Sequence, residues 1–208
     1  RSAPGASGRR ELRPGGLPPG PMRSTLPLAM SRNLRADTRR LRETHARGFP
    51  WYVLESLLFD NGYQAVLLHR LAHWFRRRRI PFFGPAIARL NLFLTGVDIA
   101  PAAEFGPGLR ISHGVGIVVG NAVRAGANAL LMQGVTLGAP TTARRAEMPT
   151  LGDDVVLGAY AAVIGGVSIG DRVLVAAHVL VTESVPADTR VLPRGGIELR
   201  PRQRPPCA

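Results

Sequence analysis

The sequence contains no lysine, a single cysteine and no long apolar run. The cysteine, Cys207, cannot form an internal disulfide, which fits a reducing compartment, so we predict a cytoplasmic location. No stretch reaches the roughly 18 apolar residues of a membrane-spanning helix, so no membrane partner is predicted. The apolar stretch at residues 26–30 is too short for a signal peptide.

All basic residues are arginine, and the net charge is +13. A basic surface can attract nucleic acid or a membrane. Much of this charge, however, lies in the N-terminal segment, in the run at residues 76–79 and in the C-terminal tail, without interleaved aromatic residues. We therefore predict no nucleic-acid partner and interpret the charge as solvated, with some attraction for an anionic ligand.

Composition and periodicity divide the chain into four segments. Residues 1–29 are rich in Pro, Gly and Arg and are predicted to be disordered. Residues 30–95 follow a helical pattern, and residues 96–188 follow a different period. Residues 189–208 form a C-terminal tail.

The helical segment contains three well-defined stretches. Ser31 is a plausible N-cap for a polar first helix at residues 32–46. Residues 63–75 form an uninterrupted amphipathic helix, which Pro81 separates from a last apolar helix at residues 83–94.

After Gly96, inward aliphatic residues or Ala recur at every sixth position. They are Ile99, Phe105, Ile111, Ile117, Val123, Ala129 and Val135, followed after a gap by Leu151, Leu157, Val163, Ile169, Val175 and Val181. A period of six fits neither a helix nor an alternating strand. It is typical of the hexapeptide repeat of a parallel β-helix, in which three hexads form one triangular coil. Thirteen such positions predict about four coils.

The six-residue period is interrupted once, between Val135 and Leu151. Residues 138–149 must therefore project from the β-helix as one extruded loop. A loop that projects from a regular solenoid is a candidate ligand contact.

One histidine has a candidate catalytic partner. His113 follows the inward Ile111 by two residues, which places it near a corner of a coil and pointing outward. Asp98 precedes His113 by fifteen residues, close to the eighteen of a full coil, so it should lie near the same corner on the neighbouring coil. An acid beside an imidazole fixes its tautomer and stabilises the imidazolium, as general-base catalysis needs.

The other histidines offer weaker candidates. His69 and His73 lie four residues apart on one helix face, a spacing that can bind a metal, but no Glu stands between them as in the zinc-protease motif. Packing within the helical region is the favoured interpretation. His178 has no nearby acid in sequence and is expected at a surface or interface.

Several segments together resemble the serine O-acetyltransferases, a branch of the hexapeptide-repeat acyltransferases. The matching segments are residues 62–65, 70–74, 97–103, 112–120 and 134–138, within a resemblance over roughly residues 50–190. The resemblance implies an α-helical region followed by a left-handed parallel β-helix, and an enzyme that transfers an acetyl group from acetyl-CoA to a small-molecule hydroxyl acceptor without a metal. It further implies a homotrimer or a dimer of trimers.

The resemblance also assigns roles. The family's catalytic His falls on His113 and its partner Asp on Asp98, and no covalent intermediate is needed. Two CoA contacts of the family fall on Ala159 and Ala177, one coil apart.

On the extruded loop, Arg144 and Arg145 are predicted to bind CoA phosphates, because guanidinium groups suit phosphate oxygens.

The chain departs from the family at the acceptor side. Ser112 stands where the family has Asp, and Glu147 and Met148 stand where it has Arg and His. We expect these three residues to contact an acceptor that need not be serine, because a site built for charged groups discriminates by leaving wrong partners unpaired. The tail ends in Cys207-Ala208, not in the Ile that docks into cysteine synthase, so that partner is not expected.

Three functions stay open. The first is acyl transfer to a hydroxyl of serine, a sugar or another small metabolite. The second is a metal-dependent β-helix enzyme of the carbonic anhydrase type, which needs three His ligands at a subunit interface, whereas the coils hold only His113 and His178. The third is a non-catalytic scaffold.

Overall fold

The computed structural model describes residues 26–42 and 50–193. Most of the predicted leader and most of the predicted tail, with Cys207, lie outside the described residues. The described residues form four α-helices: α1 (Leu26–Leu41), α2 (Trp51–Phe59), α3 (Asn61–Arg77) and α4 (Phe83–Thr95). In this part of the chain no helix is long and apolar enough to cross a bilayer.

Helices α3 and α4 match their predicted ranges within two residues. The carboxylate of Asp60 accepts a hydrogen bond from the Tyr63 N–H and so caps the start of α3. Gly96, with a φ of 75°, ends α4 in the left-handed conformation that glycine adopts readily.

The prediction for the first helix is wrong at its start. Helix α1 begins at Leu26, so Ser31 lies inside the helix and does not cap it. Pro27 is tolerated because it lies in the first turn, where its missing N–H would have no helical partner. The helix thus begins within the stretch that composition assigned to the leader, because local apolar residues outweigh the Pro-rich average.

In the described residues, fourteen short strands form three parallel sheets, one on each side of a triangular β-helix. Sheet A contains β1 (Val97–Ile99), β4 (Ile117–Val119), β7 (Thr136–Gly138), β10 (Ala162–Ile164) and β13 (Leu180–Val181). Sheet B contains β2 (Glu104–Phe105), β5 (Arg124–Ala125), β8 (Thr150–Leu151) and β11 (Ser168–Ile169). Sheet C contains β3 (Arg110–Ser112), β6 (Leu130–Met132), β9 (Val156–Leu157), β12 (Leu174–Val175) and β14 (Arg190–Val191).

The number of coils is higher than predicted. Sheets A and C each contain five strands in the described residues, which makes about five layers where the repeat count predicted about four. One reason lies at the C-terminal end, where β14 continues the solenoid through residues that were assigned to the tail.

On each side of the solenoid the inward residues form two columns. The residues at six-residue spacing fall in one column on some coils and in the other column on the next. On sheet A both Val97 and Ile99 are buried, because they are two residues apart on one strand. Val97 pairs with Ile117 and Ile99 with Val119. Three hexads per coil would place Ile117 over Ile99, but the register places Ile117 over Val97, where it still points inward.

A buried ion pair joins the helices to the first coil. Asp37 of α1 and Arg70 of α3 are 2% and 5% exposed, and the Arg70 Nε donates to the Asp37 carboxylate at 2.9 Å. Arg70 also donates to the Phe105 and Gly106 carbonyl oxygens, each at 2.6 Å. Burial raises the pKa of Asp37, whereas Arg70 and two backbone N–H groups act against that rise. Buried charges of this kind persist only when they are paired and hydrogen-bonded.

The two histidines of α3 pack between the helices and the first coil, as favoured. His69 is fully buried with its ring edge-on to Phe105, at 5.5 Å between ring centroids. The His73 Nδ1 lies 3.0 Å from the Pro101 carbonyl oxygen. Burial holds the pKa of His69 well below its usual range and lowers that of His73.

Candidate active site

The corner between sheets C and A (corner CA) holds His113 on a bulge. Ser112 pairs with Met132, and Val118 pairs with Thr136. Five residues lie between the two paired positions in the first coil, and three in the next. The two additional residues re-aim the chain, so that His113 has a φ of 56° and an exposed side chain. This agrees with the predicted outward position at a corner.

The start of α3 holds this bulge in place. The Asn61 Nδ2 donates to the Gly114 carbonyl oxygen at 2.8 Å. Gly62 allows the close approach, because a Cβ at this position would clash with the Ile111 carbonyl oxygen. The family-like Gly-Tyr-Gln-Ala segment thus has a structural role, since its glycine admits the helix to the corner.

Asp98 lies at the middle of β1 with its side chain on the outer face, between the inward Val97 and Ile99. The Gly116 N–H donates to the Gly96 carbonyl oxygen at 2.8 Å, so the bulge runs beside the start of β1. Asp98 is two residues further along that strand, about 7 Å at the usual rise.

The structure therefore brings the predicted pair to neighbouring coils. Among the described residues, no hydrogen bond or ion pair joins the Asp98 carboxylate to the His113 imidazole. Ser112 precedes His113 at the end of β3 and is half-buried.

Ala159 and Ala177 lie one above the other at corner CA. Leu157 pairs with Val175, and the His178 N–H donates to the Ala159 carbonyl oxygen at 2.9 Å. The sequence prediction that these two alanines occupy equivalent places on successive coils is confirmed by this register.

Two rings stack at the same corner. The rings of Tyr160 and His178 are parallel within 9°, with 5.1 Å between centroids. Both residues have a left-handed φ, at the place where the coil below uses Gly134. The Tyr160 ring lies over Gly134, where a Cβ would clash with it. The stack links two coils above the His113 bulge, and sequence reasoning did not single out Tyr160.

The extruded loop leaves and returns at the opposite corner, between sheets A and B (corner AB). A Cβ at Gly120 would lie 2.6 Å from the Met148 sulfur, and one at Gly166 would lie 3.6 Å from the Glu147 Cβ. Met148 is partly buried against the solenoid core, which gives it a packing role at the base of the loop. Its predicted contact with an acceptor stays a prediction.

Arg144 and Glu147 form an ion pair within the loop. The Arg144 Nε donates to one Glu147 carboxylate oxygen at 2.7 Å, and a second guanidinium nitrogen donates to the other. These hydrogen bonds hold the pKa of Glu147 below its usual range. The two side chains that were assigned to CoA and to the acceptor are thus engaged with each other, while Arg145 is exposed.

The predicted site residues therefore form two groups. His113, Ala159 and Ala177 lie at corner CA, whereas the loop residues lie at corner AB. The two corners are separated by the three-residue strands of sheet A, or about 10 Å.

No group of three His, Cys, Asp or Glu residues that could hold a metal occurs within residues 26–42 and 50–193. His113 and His178 both lie near corner CA, but three coils apart. That is about 14 Å at the usual strand spacing, too far for one zinc ion.

Comparison with known proteins identifies the family to which this architecture belongs. The family model for the bacterial transferase hexapeptide (six repeats) matches residues 148–183. The serine acetyltransferase of Synechococcus elongatus is 38% identical over 181 residues, which is 83% of this chain and 72% of that protein. The chain belongs to the serine acetyltransferase family. The chain is accordingly an acyltransferase, and its solenoid is a left-handed β-helix.

Two further comparisons agree with this membership. The serine acetyltransferase of Helicobacter pylori is 39% identical over 148 residues, which is 71% of this chain and 85% of that protein. A crystal structure of the Neisseria gonorrhoeae serine acetyltransferase in complex with serine superposes with a TM-score of 0.71. It is 30% identical, and the match covers 83% of this chain and 68% of that one.

Two structural features of the site were missed from the sequence. They are the bulge after Ser112 and the Asn61 support. The sequence did not reveal the bulge, because both inward columns of each side are apolar. A two-residue insertion shifts the residues at six-residue spacing from one inward column to the other, so the period of six continues without interruption. The Asp60-Asn61 pair just before an apolar helical run was a readable N-terminus signal.

Proposed function

We propose that this chain transfers an acetyl group from acetyl-CoA to the hydroxyl of a small acceptor, with His113 as general base and Asp98 as the residue that orients it. The observation that carries the proposal is the bulge at corner CA. Two residues beyond the regular coil turn an exposed imidazole outward beside the strand that holds Asp98. Bulges of this kind commonly re-aim a side chain at a functional site.

The proposed reaction needs one proton relay. His113 accepts the hydroxyl proton of the acceptor while that oxygen attacks the thioester carbonyl carbon of acetyl-CoA. The tetrahedral intermediate collapses by breaking the carbon–sulfur bond, and the imidazolium returns the proton to the departing CoA sulfur. Asp98 favours the imidazolium during this step, because an opposite charge nearby stabilises the charged form.

The stacked alanines support a donor groove along corner CA. Ala159 and Ala177 form a short strip of small side chains on two successive coils, which begins one coil above Gln133 and two coils above His113. A long thioester substrate can lie along such a strip and approach backbone groups closely.

The separation of the two groups of site residues supports a trimer. A site that uses both His113 and the loop that carries Arg144 and Arg145 can be built between two chains, with corner CA of one chain beside corner AB of its neighbour. A ring closed by threefold rotation repeats one such contact between each pair of neighbours.

Serine is the first acceptor to test, because the family is named for it and a relative binds serine in its crystal structure. A second candidate is a hydroxyl acceptor other than serine. Glu147 and Met148 stand where the family has Arg and His. Glu147 is paired with Arg144, and Met148 packs over Gly120. Neither side chain is a cation that could pair with the serine carboxylate.

The test is release of free CoA thiol by the purified full chain with acetyl-CoA and a panel of L-serine, homoserine, simple sugars and glycerol. Acceptor-dependent release with any of these supports acetyl transfer, and its rank order names the acceptor. Binding of CoA without release in the presence of any hydroxyl compound would favour the scaffold function instead.

A further inference from the structure

The turn between α3 and α4 presents basic and apolar side chains together at the surface. Residues 76–83 are all exposed, and the four arginines at positions 76–79 are followed by Ile80, Pro81, Phe82 and Phe83. Phe82 and Phe83 are 83% and 55% accessible. We call residues 76–83 the turn patch. Apolar side chains exposed beside a cluster of charges commonly mark an interaction site.

Hydrogen bonds and a ring contact hold the turn patch in this shape. The Ile80 N–H donates to the Phe75 carbonyl oxygen at 3.1 Å, and the Ala86 N–H donates to the Phe82 carbonyl oxygen at 3.0 Å. The rings of Phe75 and Phe83 stack with 5.0 Å between centroids. Phe82 has a φ of 69°, a left-handed conformation that phenylalanine rarely adopts. In the single chain the exposed Phe82 ring gains little packing that would offset this strain.

The four arginines give the turn patch a strong positive charge. No acidic residue occurs at positions 76–83. Arg77 has the Glu104 carboxylate at 3.9 Å, but both side chains are about half exposed, and such a pair contributes little. Within the described part of the chain, no hydrogen bond or ion pair engages the side chains of Arg76 and Arg79. Most of this charge is therefore available to an anionic partner.

An anionic lipid surface fits this combination better than a nucleic acid does. Nucleic-acid bases stack on the faces of aromatic rings. Here Arg78 lies over the Trp74 ring at 5.1 Å, and Phe83 is stacked on Phe75, so two of the rings already have partners. The exposed residues at positions 80 and 81 are aliphatic, and they gain from contact with hydrocarbon but not from base stacking. Arginines beside apolar side chains that enter the headgroup boundary are typical of peripheral membrane binding.

We infer that the turn patch binds the surface of an anionic lipid bilayer, with its arginines among the headgroups and Ile80 and Phe82 inserted at the headgroup boundary. The run at residues 76–79, interpreted from the sequence as solvated charge, thereby has a partner. The finding that no described helix can span a bilayer does not bear on this, because the patch lies on the surface of the membrane. The inference is independent of the proposed acetyl transfer.

The position of the turn patch leaves the candidate active site accessible. The patch follows the last residue of α3, whereas the His113 bulge is supported by Asn61 at the first. Helix α3 has 17 residues, so its two ends are about 25 Å apart at the usual rise. A chain bound to a bilayer through the patch can therefore still exchange substrates with water.

Co-sedimentation of the full chain with vesicles tests the inference. One set of vesicles is phosphatidylcholine alone, and the other is phosphatidylcholine with an equal part of phosphatidylglycerol. The charge variant combines Arg76→Gln with Arg79→Gln and leaves the other two arginines and their contacts in place. Its matched control combines Arg35→Gln with Arg39→Gln, two exposed arginines of α1, and lowers the net charge by the same amount.

A second variant tests the apolar contact. Phe82→Asn replaces the ring with a polar side chain that tolerates the left-handed φ, so the turn is expected to keep its shape. Leu192→Ser, at a 63% exposed leucine just after β14, is the control for loss of an exposed apolar side chain. Circular dichroism checks that each variant is folded.

The wild type is expected to sediment with the anionic vesicles, less so at high salt, and not with the neutral ones. The charge variant should lower the partition coefficient by about 25-fold, because each arginine near an anionic surface contributes about five-fold. Phe82→Asn should lower it by about 10-fold, and both controls should bind as the wild type does.

Three results overturn the inference. They are a wild type that does not bind the anionic vesicles, a wild type that binds both sets of vesicles equally, and a loss of binding in the controls as large as in the variants. A wild type that binds a single-stranded oligonucleotide but not the vesicles falls under the first of these and assigns the turn patch to nucleic acid.

Discussion

At the scale of single residues, the site depends on backbone position as much as on side-chain type. His113 is one of several residues at coil corners with a left-handed φ, together with Tyr160 and His178. Such a conformation costs a non-glycine residue about 1–2 kcal/mol, so each must be held by its surroundings. For His113 the surroundings are the hydrogen bond from Asn61 and the contact with Gly62.

The loop arginines should differ in their contribution to donor binding. Changing both Arg144 and Arg145 to Gln is expected to raise the apparent KM for acetyl-CoA several-fold and to leave the acceptor KM alone. Of the single variants, Arg145→Gln should have the larger effect, because Arg144 must first give up its ion pair with Glu147. Steady-state kinetics against acetyl-CoA measures this, and an unchanged KM in the double variant removes the assignment.

Buried histidines should make the fold sensitive to acid. The pKa of His69 is lowered in the folded chain by burial, by Arg70 and by His73. The unfolded chain therefore binds more protons below about pH 6.5, and stability is lost as the pH falls through that value, by up to about 1.4 kcal/mol per pH unit for each such group. Stability contributed in this way is fully present above that pH.

Urea denaturation at pH 7.5 and pH 5.5, at one protein concentration, measures the effect. The wild type should unfold at lower urea at pH 5.5, and His69→Leu, which cannot be protonated, should show a smaller difference between the two pH values. An equal difference in both proteins would assign the acid sensitivity to other groups.

Much of the site at this scale was predictable from the sequence. The stacking of Ala159 on Ala177 follows from residue spacing within a regular coil, whereas the outward position of His113, although it was predicted, is produced by the bulge. The pairing of Arg144 with Glu147 did not follow, because a loop outside the repeat has no register.

At the scale of elements, the repeat shows what periodicity can and cannot reveal. Two inward columns two residues apart, such as those of Val97 and Ile99, are both apolar. A period of six therefore survives a two-residue insertion, and the sequence predicted an unbroken beat where the structure has a bulge. The large interruption after Val135 was visible because the eight additional residues cannot be absorbed in this way.

The bulge itself can be removed. Deletion of residues 114 and 115 would leave His113 and Gly116 opposite Gln133 and Gly134, in a corner of regular length. We expect the β-helix to fold, because the register of β4 on β7 is unchanged, but acetyl transfer to fall to background as the imidazole is re-aimed. Circular dichroism and CoA release measure the two parts. Retained activity in a folded deletion variant would show that the bulge is not needed.

At the scale of the whole molecule, the three sides of the prism differ. The outer face of sheet A exposes Val118 and Leu180, which are 46% and 65% accessible in the single chain. Sheet B instead carries the charged residues Glu104 and Arg124, with 3.9 Å between the Arg124 Nε and the Glu104 Oε2. Exposed apolar residues on one flat side are the usual mark of a protein interface.

We therefore expect a trimer, or a dimer of trimers, with sheet A buried between neighbours. Light scattering should give a mass three or six times that of the 22.3 kDa chain. Leu180→Arg should shift the mass toward the monomer, because it places an unpaired charge in the interface, whereas Ser168→Arg on the outer face of sheet B should not. A monomeric wild type at concentrations that support activity would contradict this.

The helical region offers a second surface of the same kind. Phe59 of α2 and Phe93 of α4 are more than four-fifths exposed. Burial of such side chains between two trimers would explain a sixfold mass, so a double Phe59→Ser and Phe93→Ser variant should reduce a hexamer to trimers without further dissociation. Loss of the trimer itself in this variant would place the threefold contact on the helices instead.

The most direct test of the central claim is the turnover number of His113→Ala with acetyl-CoA and the best acceptor. Positioned base catalysis is worth about 10²–10⁴-fold, so kcat should fall by that factor while CoA binding and the oligomer persist. His178→Ala, an exposed histidine of the same corner three coils away, should retain turnover. Wild-type kcat in a folded His113→Ala chain would contradict the account, because turnover would then not depend on the His113 imidazole.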